Sequence, residues 1–179
     1  DGIVGQMRKG GRLLYVGAGT SGRLGVLDAS ECTPTFGTPP DLVCGIIAGG
    51  SRALVEAIEG AEDSEEMGQE DIAKHQVSAK DALVGIAASG RTPYVLAAVR
   101  EARKRGAFTV GICNVKHSIL AQLVEVGIEV DTGPEVIMGS TRMKPATEQK
   151  FVLNMLSSSA INQLGKVYQN YMVDLSATN

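Results

Sequence analysis

The chain contains no tryptophan, three phenylalanines and four tyrosines, so it offers no row of aromatic faces on which bases could stack. Its formal net charge of -3 comes without a long basic run, and the two features together exclude a general nucleic-acid surface. Cysteine is equally scarce. Cys32, Cys44 and Cys113 are odd in number and lack paired ligand spacing, which argues against a disulfide framework or zinc site and fits a reducing cytosol. His75 and His117 are the only histidines; neither stands in a metal-ligand pattern and both read as surface residues, so metal catalysis would have to rest on carboxylates alone. No apolar stretch approaches the roughly 20 residues needed to cross a bilayer, and no secretory signal is visible. A soluble protein without membrane or nucleic-acid partners is expected.

Glycine, by contrast, is plentiful at 22 residues, and a hydrophobic content of 44% in 179 residues suits one domain with a sizeable core. The apolar run Leu13-Leu14-Tyr15-Val16 reads as a buried parallel strand, and Gly17-Ala18-Gly19-Thr20-Ser21-Gly22-Arg23 turns it into a helix. Unpaired backbone N–H groups and the positive end of the helix dipole make such a start an anion site, and Thr20 and Ser21 add hydroxyl donors for a phosphoryl oxygen. Gly17, Gly19 and Gly22 also spell G-x-G-x-x-G, so a dinucleotide-binding unit is weighed first. That reading needs an acidic residue closing the second strand about 20 residues further on. Asp41 follows Pro39-Pro40 and precedes the apolar run Leu42 to Ala48, so it opens a strand and does not close one. The Thr-Ser pair suits a terminal phosphomonoester, which needs more donors than a bridging pyrophosphate.

A second segment repeats the first. Val84-Gly85-Ile86-Ala87-Ala88-Ser89-Gly90-Arg91 matches Val16 to Arg23 at Val, Gly, Ser, Gly and Arg. It runs into Thr92-Pro93, an N-cap residue followed by proline at the first helical position, and the helix then reads to Lys104-Arg105 with Gly106 as its stop. Two strand–loop–helix units would place two anion-seeking helix starts at one carboxyl edge of a parallel sheet, where open α/β folds bind ligands. The plainer alternative is that Ser89 and Thr92 only cap.

Strands read near residues 12–17, 42–48, 82–87, 107–112 and 127–131, alternating with helices near 21–29, 51–59, 64–75, 93–105 and 117–125. A final helix is expected from about Thr147 to Gln169, with Val152, Met155, Leu156, Ile161, Leu164 and Tyr168 on a core or subunit face. This alternation implies an α/β fold with a five-stranded parallel sheet between two helical layers. Residues Asp1 to Lys9 read as the tail of an earlier helix, and a fragment of a longer chain is expected.

Five motifs, in order, carry a resemblance: Gly17 to Gly25 with Asp28-Ala29-Ser30-Glu31-Cys32; Glu59-Gly60-Ala61-Glu62-Asp63; Gly85 to Tyr94; Gly139-Ser140-Thr141-Arg142-Met143-Lys144; and Leu153-Asn154-Met155-Leu156-Ser157. Over essentially its whole length the chain resembles the N-acetylmuramic acid 6-phosphate etherase family. The resemblance implies a single sugar isomerase (SIS) domain over 1–179, a flavodoxin-like three-layer α/β/α sandwich, without the family's N-terminal helices and small C-terminal helical domain. It also implies a cytoplasmic, homodimeric lyase of cell-wall recycling that uses no metal or organic cofactor. Its substrate would be a phosphorylated amino sugar, cleaved at the D-lactyl ether on C3 to give N-acetylglucosamine 6-phosphate and D-lactate.

The resemblance makes Glu31 the proton donor to the leaving lactate and Glu62 the second catalytic glutamate, assigned here as the base at C2; it makes Thr20, Ser21, Ser89, Gly90 and Thr92 the phosphate site. Each has a plainer reading. Glu56, Glu59 and Glu62 recur at a spacing of three, as on a solvated helix face. Glu31 follows the phosphate-loop helix among small and apolar residues whose burial would raise its pKa. Arg142 and Lys144 either neutralise a substrate anion or form a surface basic pair. Ala87 stands where many SIS domains carry a serine. Where the family commonly reads Met-Lys-Ala-Gly-Thr-Ala-Gln-Lys, this chain has Met143-Lys144-Pro145-Ala146-Thr147-Glu148-Gln149-Lys150, with Glu148 expected as a helix-start acid, the alternative being an additional catalytic carboxylate. A non-catalytic phosphosugar sensor like the glucokinase regulatory protein, or a phosphosugar isomerase, would use a similar fold without needing ether cleavage.

Overall fold

The computed structural model describes residues 1–174. Five apolar runs form one parallel sheet: β1 (Leu13–Gly17), β2 (Val43–Ile47), β3 (Ala82–Ile86), β4 (Phe108–Cys113) and β5 (Val126–Glu129), in the order β2-β1-β3-β4-β5. The central runs are continuously apolar because both faces are covered. Leu13, Tyr15, Val84 and Ile86 pack against the layer of α1 (Gly2–Arg8), α2 (Gly19–Phe36) and α6 (Lys144–Gln163). Their neighbours Leu14, Val16 and Leu83 face the opposite layer, built from α3 (Glu65–Lys74), α4 (Pro93–Lys104) and α5 (Ile119–Leu123). A two-residue hairpin, β6 (Val167–Tyr168) with β7 (Tyr171–Met172), follows α6. No helix among the described residues is long and apolar enough to cross a membrane.

Several expected elements are reshaped by tertiary contacts. No α-helix forms over 51–59; a short 3-10 turn, Ser51–Leu54, gives way to an irregular segment and a second 3-10 turn, Ala61–Asp63. The Arg23 guanidinium donates to the Leu54 carbonyl at 3.0 Å and the Glu56 carbonyl at 2.9 Å, drawing these acceptors out of any helical ladder. Helix α2 runs on past residue 29, through Pro34, to Gly37 at φ +61. Helix α5 is only five residues long. Helix α6 begins at Lys144 and ends before Gly165 at φ +84, so Tyr168 lies in the exposed hairpin; Met155 also faces out, while Leu153 and Ile161 are buried.

The loop after β1 is tight for a steric reason. A Cβ on Gly17 would sit 2.7 Å from the Gly22 nitrogen, and one on Gly22 would sit 2.6 Å from the Gly17 oxygen. Only a pair of glycines lets the first turn of α2 close this tightly on the strand.

At the other end of the sheet an ion pair between half-buried Arg12 and buried Asp81 locks β1 to β3. Asp81, 2% exposed, precedes β3 and accepts from the backbone nitrogen, Nε and Nη2 of Arg12, at 2.9, 3.1 and 3.0 Å. The Ser78 backbone N–H adds a further bond at 2.9 Å. Burial alone would raise the Asp81 carboxyl, but the bonds from Arg12 and Ser78 outweigh it and hold the carboxyl below its ordinary value. Replacing Asp81 with alanine leaves half-buried Arg12 and the Ser78 N–H without their acceptor and is expected to cost about 1–3 kcal/mol. Because the folded pKa is depressed, this contribution is fully present above the unfolded value of about 3.9 and is lost as pH falls through the folded value. Denaturant unfolding of Asp81→Ala and the parent should therefore differ at pH 7 and converge in strong acid.

Candidate active site

In the register of β1 and β3, Gly17 lies beside Ile86, so the two Ser-Gly loops leave the sheet side by side. The chain after β1 enters α2 in one helical layer and the chain after β3 enters α4 in the other, which opens a crevice at the carboxyl edge. That crevice is a cleft of about 480 Å³. Ala18 and Ser21 line it from the first loop, Ala87, Ala88, Ser89, Arg91 and Thr92 from the second, Glu62 and Asp63 from the 3-10 turn, and Gly139 and Thr141 from the loop before α6.

Two helix starts outside this cleft are closed by serines, and the two that open onto it are not. Ser64 caps α3 by accepting from Met67 N–H at 3.1 Å, and Ser118 caps α5 by accepting from Ala121 N–H at 3.0 Å. At the cleft, α2 begins after Ala18, which has no side-chain acceptor, and Thr92 makes no capping bond to α4. First-turn N–H groups of α2 are left for an anion. Capping therefore does not account for Thr92. Ser89 is exposed and makes only a long contact, accepting from Arg91 N–H at 3.4 Å.

The expected site residues separate into three groups. Ser21, Ser89, Thr92 and Glu62 all line the cleft, while Thr20, in the same first turn, does not. Gly90 shapes the loop and offers no free contact: its φ is +62, its N–H donates to the Ala87 carbonyl at 2.8 Å, and its own carbonyl accepts from Leu120 N–H. Any Cβ there would lie 2.3 Å from Ser118 Cβ. Glu31 lies apart. It is twelve residues along α2 from Gly19, about 18 Å at the helical rise, and exposed. The burial expected around it falls instead on Asp28 and Cys32, on a different face of the helix, and burial pushes the Cys32 thiol up to about 12.

Glu62 is not on a helix face. Its turn is pinned by buried Ala61, and the segment leading to it is held by Arg23, so Glu62 lines both the cleft and an adjoining cavity of about 200 Å³. The repeat thus hides a divergence. Arg23 serves the fold, whereas its counterpart Arg91 is the one basic residue among the described residues lining the cleft. Arg142 and Lys144 are exposed and line no part of it; Lys144 Nζ donates to the Pro134 carbonyl at 2.8 Å.

Helix α6 is placed by polar contacts that motif reading passed over. Asp28, 4% exposed, accepts from Tyr15 Oη at 2.7 Å, Asn154 Nδ2 at 2.5 Å and Ser157 Oγ at 3.0 Å, joining β1, α2 and α6. Burial, then the Asp28 charge and hydrogen bond, push the Tyr15 hydroxyl well above its usual range. Docked in this way, α6 brings Gln149 to Ser21, whose hydroxyl donates to Gln149 Oε1 at 2.8 Å. Glu148 is not the acid at the helix start. Glu135 takes that place, accepting from Met143 and Lys144 N–H at 3.1 and 3.0 Å, while Glu148 turns inward to Asn114.

Residues 1–103 match the glucokinase regulatory protein N-terminal SIS domain, and residues 59–157 match the SIS domain. The chain is 60% identical over 179 residues to the N-acetylmuramic acid 6-phosphate etherase of Symbiobacterium thermophilum, and 56% identical over 174 residues to that of Clostridium acetobutylicum. These cover 100% and 97% of this chain but only 59% and 58% of the two relatives. Among solved structures, a phosphoheptose isomerase from Francisella tularensis superposes with a TM-score of 0.66 at 20% identity, covering 90% of this chain and 82% of that one. The Vibrio vulnificus NanR protein complexed with ManNAc-6P superposes with a TM-score of 0.58 at 18% identity, covering 93% and 53%. At these identities the likeness is one of fold.

Since Arg91 is the basic group in the cleft, Arg91→Ala is expected to weaken N-acetylglucosamine 6-phosphate binding at least about tenfold, the effect of losing one bond to a charged group. Calorimetric titration measures this. Unchanged affinity would remove Arg91 from the anion site.

Proposed function

The chain belongs to the SIS-domain family, and from that premise we propose that it cleaves the lactyl ether of N-acetylmuramic acid 6-phosphate in the cytoplasm, as a homodimer. The observation that carries this reading is the convergence of an uncapped helix start, a second Ser-Gly loop, Arg91 and Glu62 on one cleft. At about 480 Å³ it is within the usual size range of small-molecule pockets. The etherase relatives supply the substrate class.

The chemistry needs an anchor and two proton-transfer groups. In the open-chain sugar the C1 aldehyde acidifies the proton at C2. Glu62 takes that proton, the C3–O bond breaks toward an alkene conjugated with the aldehyde, and an acid protonates the departing lactate oxygen; water then adds at C3. The phosphate, held at the α2 start and by Ser89 and Thr92, fixes C2 against Glu62. A phosphosugar isomerase would share the removal of the C2 proton but leave the C3 ether intact, so lactate release separates the two readings.

Glu31 remains our candidate for the acid, supplied by a second copy of the chain. Two observations favour this assignment: Glu31 does not meet its own cleft, and it shares an exposed flank of α2 with Leu27, 47% exposed. A helix flank that pairs apolar surface with a carboxylate suits an isologous contact.

Both assignments are tested in the whole protein. Glu31→Gln should abolish lactate release yet still exchange the C2 proton with solvent deuterium, as followed by NMR, because deprotonation precedes ether cleavage. Glu62→Gln should lose both. Mixing the two inactive variants and allowing subunits to exchange should restore roughly one quarter of the parent activity, since half the dimers are mixed and each holds one intact site. Lactate release by either variant alone would remove that glutamate from the mechanism, and no recovery on mixing would contradict a shared site.

A further inference from the structure

Ser21, Gln149, Asn114 and Glu148 form one hydrogen-bond chain running inward from the cleft. Ser21 Oγ donates to Gln149 Oε1 at 2.8 Å, Gln149 Nε2 donates to Asn114 Oδ1 at 2.8 Å, and Asn114 Nδ2 donates to Glu148 Oε2 at 2.6 Å. The first three residues are buried, at 9%, 1% and 5% exposure. All donations point one way because the chain ends on a carboxylate, which when ionised only accepts. The effect is felt at the far end. Ser21 turns its proton inward and presents lone pairs to the cleft, where a phosphate oxygen needs a donor.

The inner end is built to change state. Glu148 Oε1 is buried without a partner among the described residues. Burial raises the Glu148 carboxyl above its ordinary value, against the opposing bond from Asn114. The charged and titratable groups around it are engaged elsewhere or open to solvent. On α6, Lys144 is held by the Pro134 carbonyl and Lys150 is exposed. On β4, Cys113 contacts Ser118; on β5, Glu129 accepts from Ser118 N–H; in the following loop, Asp131 accepts from Gly133 N–H. His117, before α5, is exposed. Among the described residues none forms an ion pair with Glu148.

We infer that Glu148 is a positioning residue that sets the polarity of Ser21, so that phosphosugar binding is coupled to proton uptake by Glu148. Ionised, Glu148 holds Ser21 as an acceptor toward the cleft. When Glu148 takes a proton from solvent, its O–H donates to Asn114 Oδ1, the Asn114 amide turns to donate to Gln149 Oε1, Gln149 Nε2 donates to Ser21 Oγ, and the Ser21 proton is released to a phosphoryl oxygen. The contact surrendered is the longest of the set, Asn114 Nδ2 to the Val130 carbonyl at 3.3 Å. This inference rests on the phosphate lying at the α2 start.

The test titrates the whole protein with N-acetylglucosamine 6-phosphate and with unphosphorylated N-acetylglucosamine, at pH 6 and pH 8, in buffers of differing ionisation enthalpy. Glu148→Gln supplies an amide that donates without a proton. It should bind the phosphosugar about tenfold more tightly than the parent at pH 8, the size of one bond to a charged group, and should lose the parent's excess proton uptake. Glu148→Ala should lose that uptake too. In a Ser21→Ala background the Glu148→Gln gain should vanish. A variant that weakens binding equally at both pH values, or leaves proton uptake unchanged, overturns the inference while the phosphate site stands. A parent protein that does not prefer the phosphorylated sugar overturns both.

Discussion

The parallel pairing of β1 with β3 is the constraint on which the site depends. Half-buried Arg12 and buried Asp81, paired at the amino end of these strands, fix their register, and five residues later the same register delivers Gly17 beside Ile86. The sheet order then sends the two following helices to opposite layers. A slip between the strands would separate the two loops that must share one anion. Stability at one edge of the sheet and geometry at the other are therefore a single property, since a parallel sheet buried on both faces leaves little freedom to adjust one strand alone.

Polar contacts finish what the sheet begins. The cleft is assembled from pieces far apart in sequence, and α6 is the last to be placed. Among the described residues Asp28 has no cationic partner; three donors from Tyr15, Asn154 and Ser157 satisfy it in the seam between α2 and α6. A buried carboxylate held in this way is tolerated only when its donors are in position, so it selects one docking of the two helices. From that docking follow the bond between Gln149 and Ser21 and the approach of Gly139 and Thr141 to the cleft. The uncapped start of α2 stands out against α3 and α5, whose serines close their own helix ends.

Much of this was legible in the chain. Strands covered on both faces read as unbroken apolar runs, and the repeat from Val16 to Arg23 and Val84 to Arg91 located both loops of the cleft because the same turn geometry demands the same small residues. What escaped notice was set by side chains meeting across the fold. Residues 51–59 have the composition of a helix, yet Arg23 takes the carbonyls of Leu54 and Glu56. Arg23 and Arg91 are equivalent in the repeat and different in role, because only the segment beside Arg23 supplies carbonyls within reach. Glu148 read as a helix-start acid since position along α6 was the only information present; its partner Asn114 is 34 residues away. Glu31 shows the same limit in reverse, for Asp28, Ala29 and Cys32 near it in sequence are buried while Glu31 itself is exposed.

The central claim is that one phosphate bridges the α2 start and the β3–α4 loop. A crystal structure of the protein with N-acetylglucosamine 6-phosphate tests it most directly. The account predicts phosphoryl oxygens within hydrogen-bond distance of first-turn N–H groups of α2 and of the Ser89 hydroxyl, with the sugar carbons C2 and C3 turned toward Glu62. A phosphate bound outside this cleft, with the α2 start left to solvent, would contradict it.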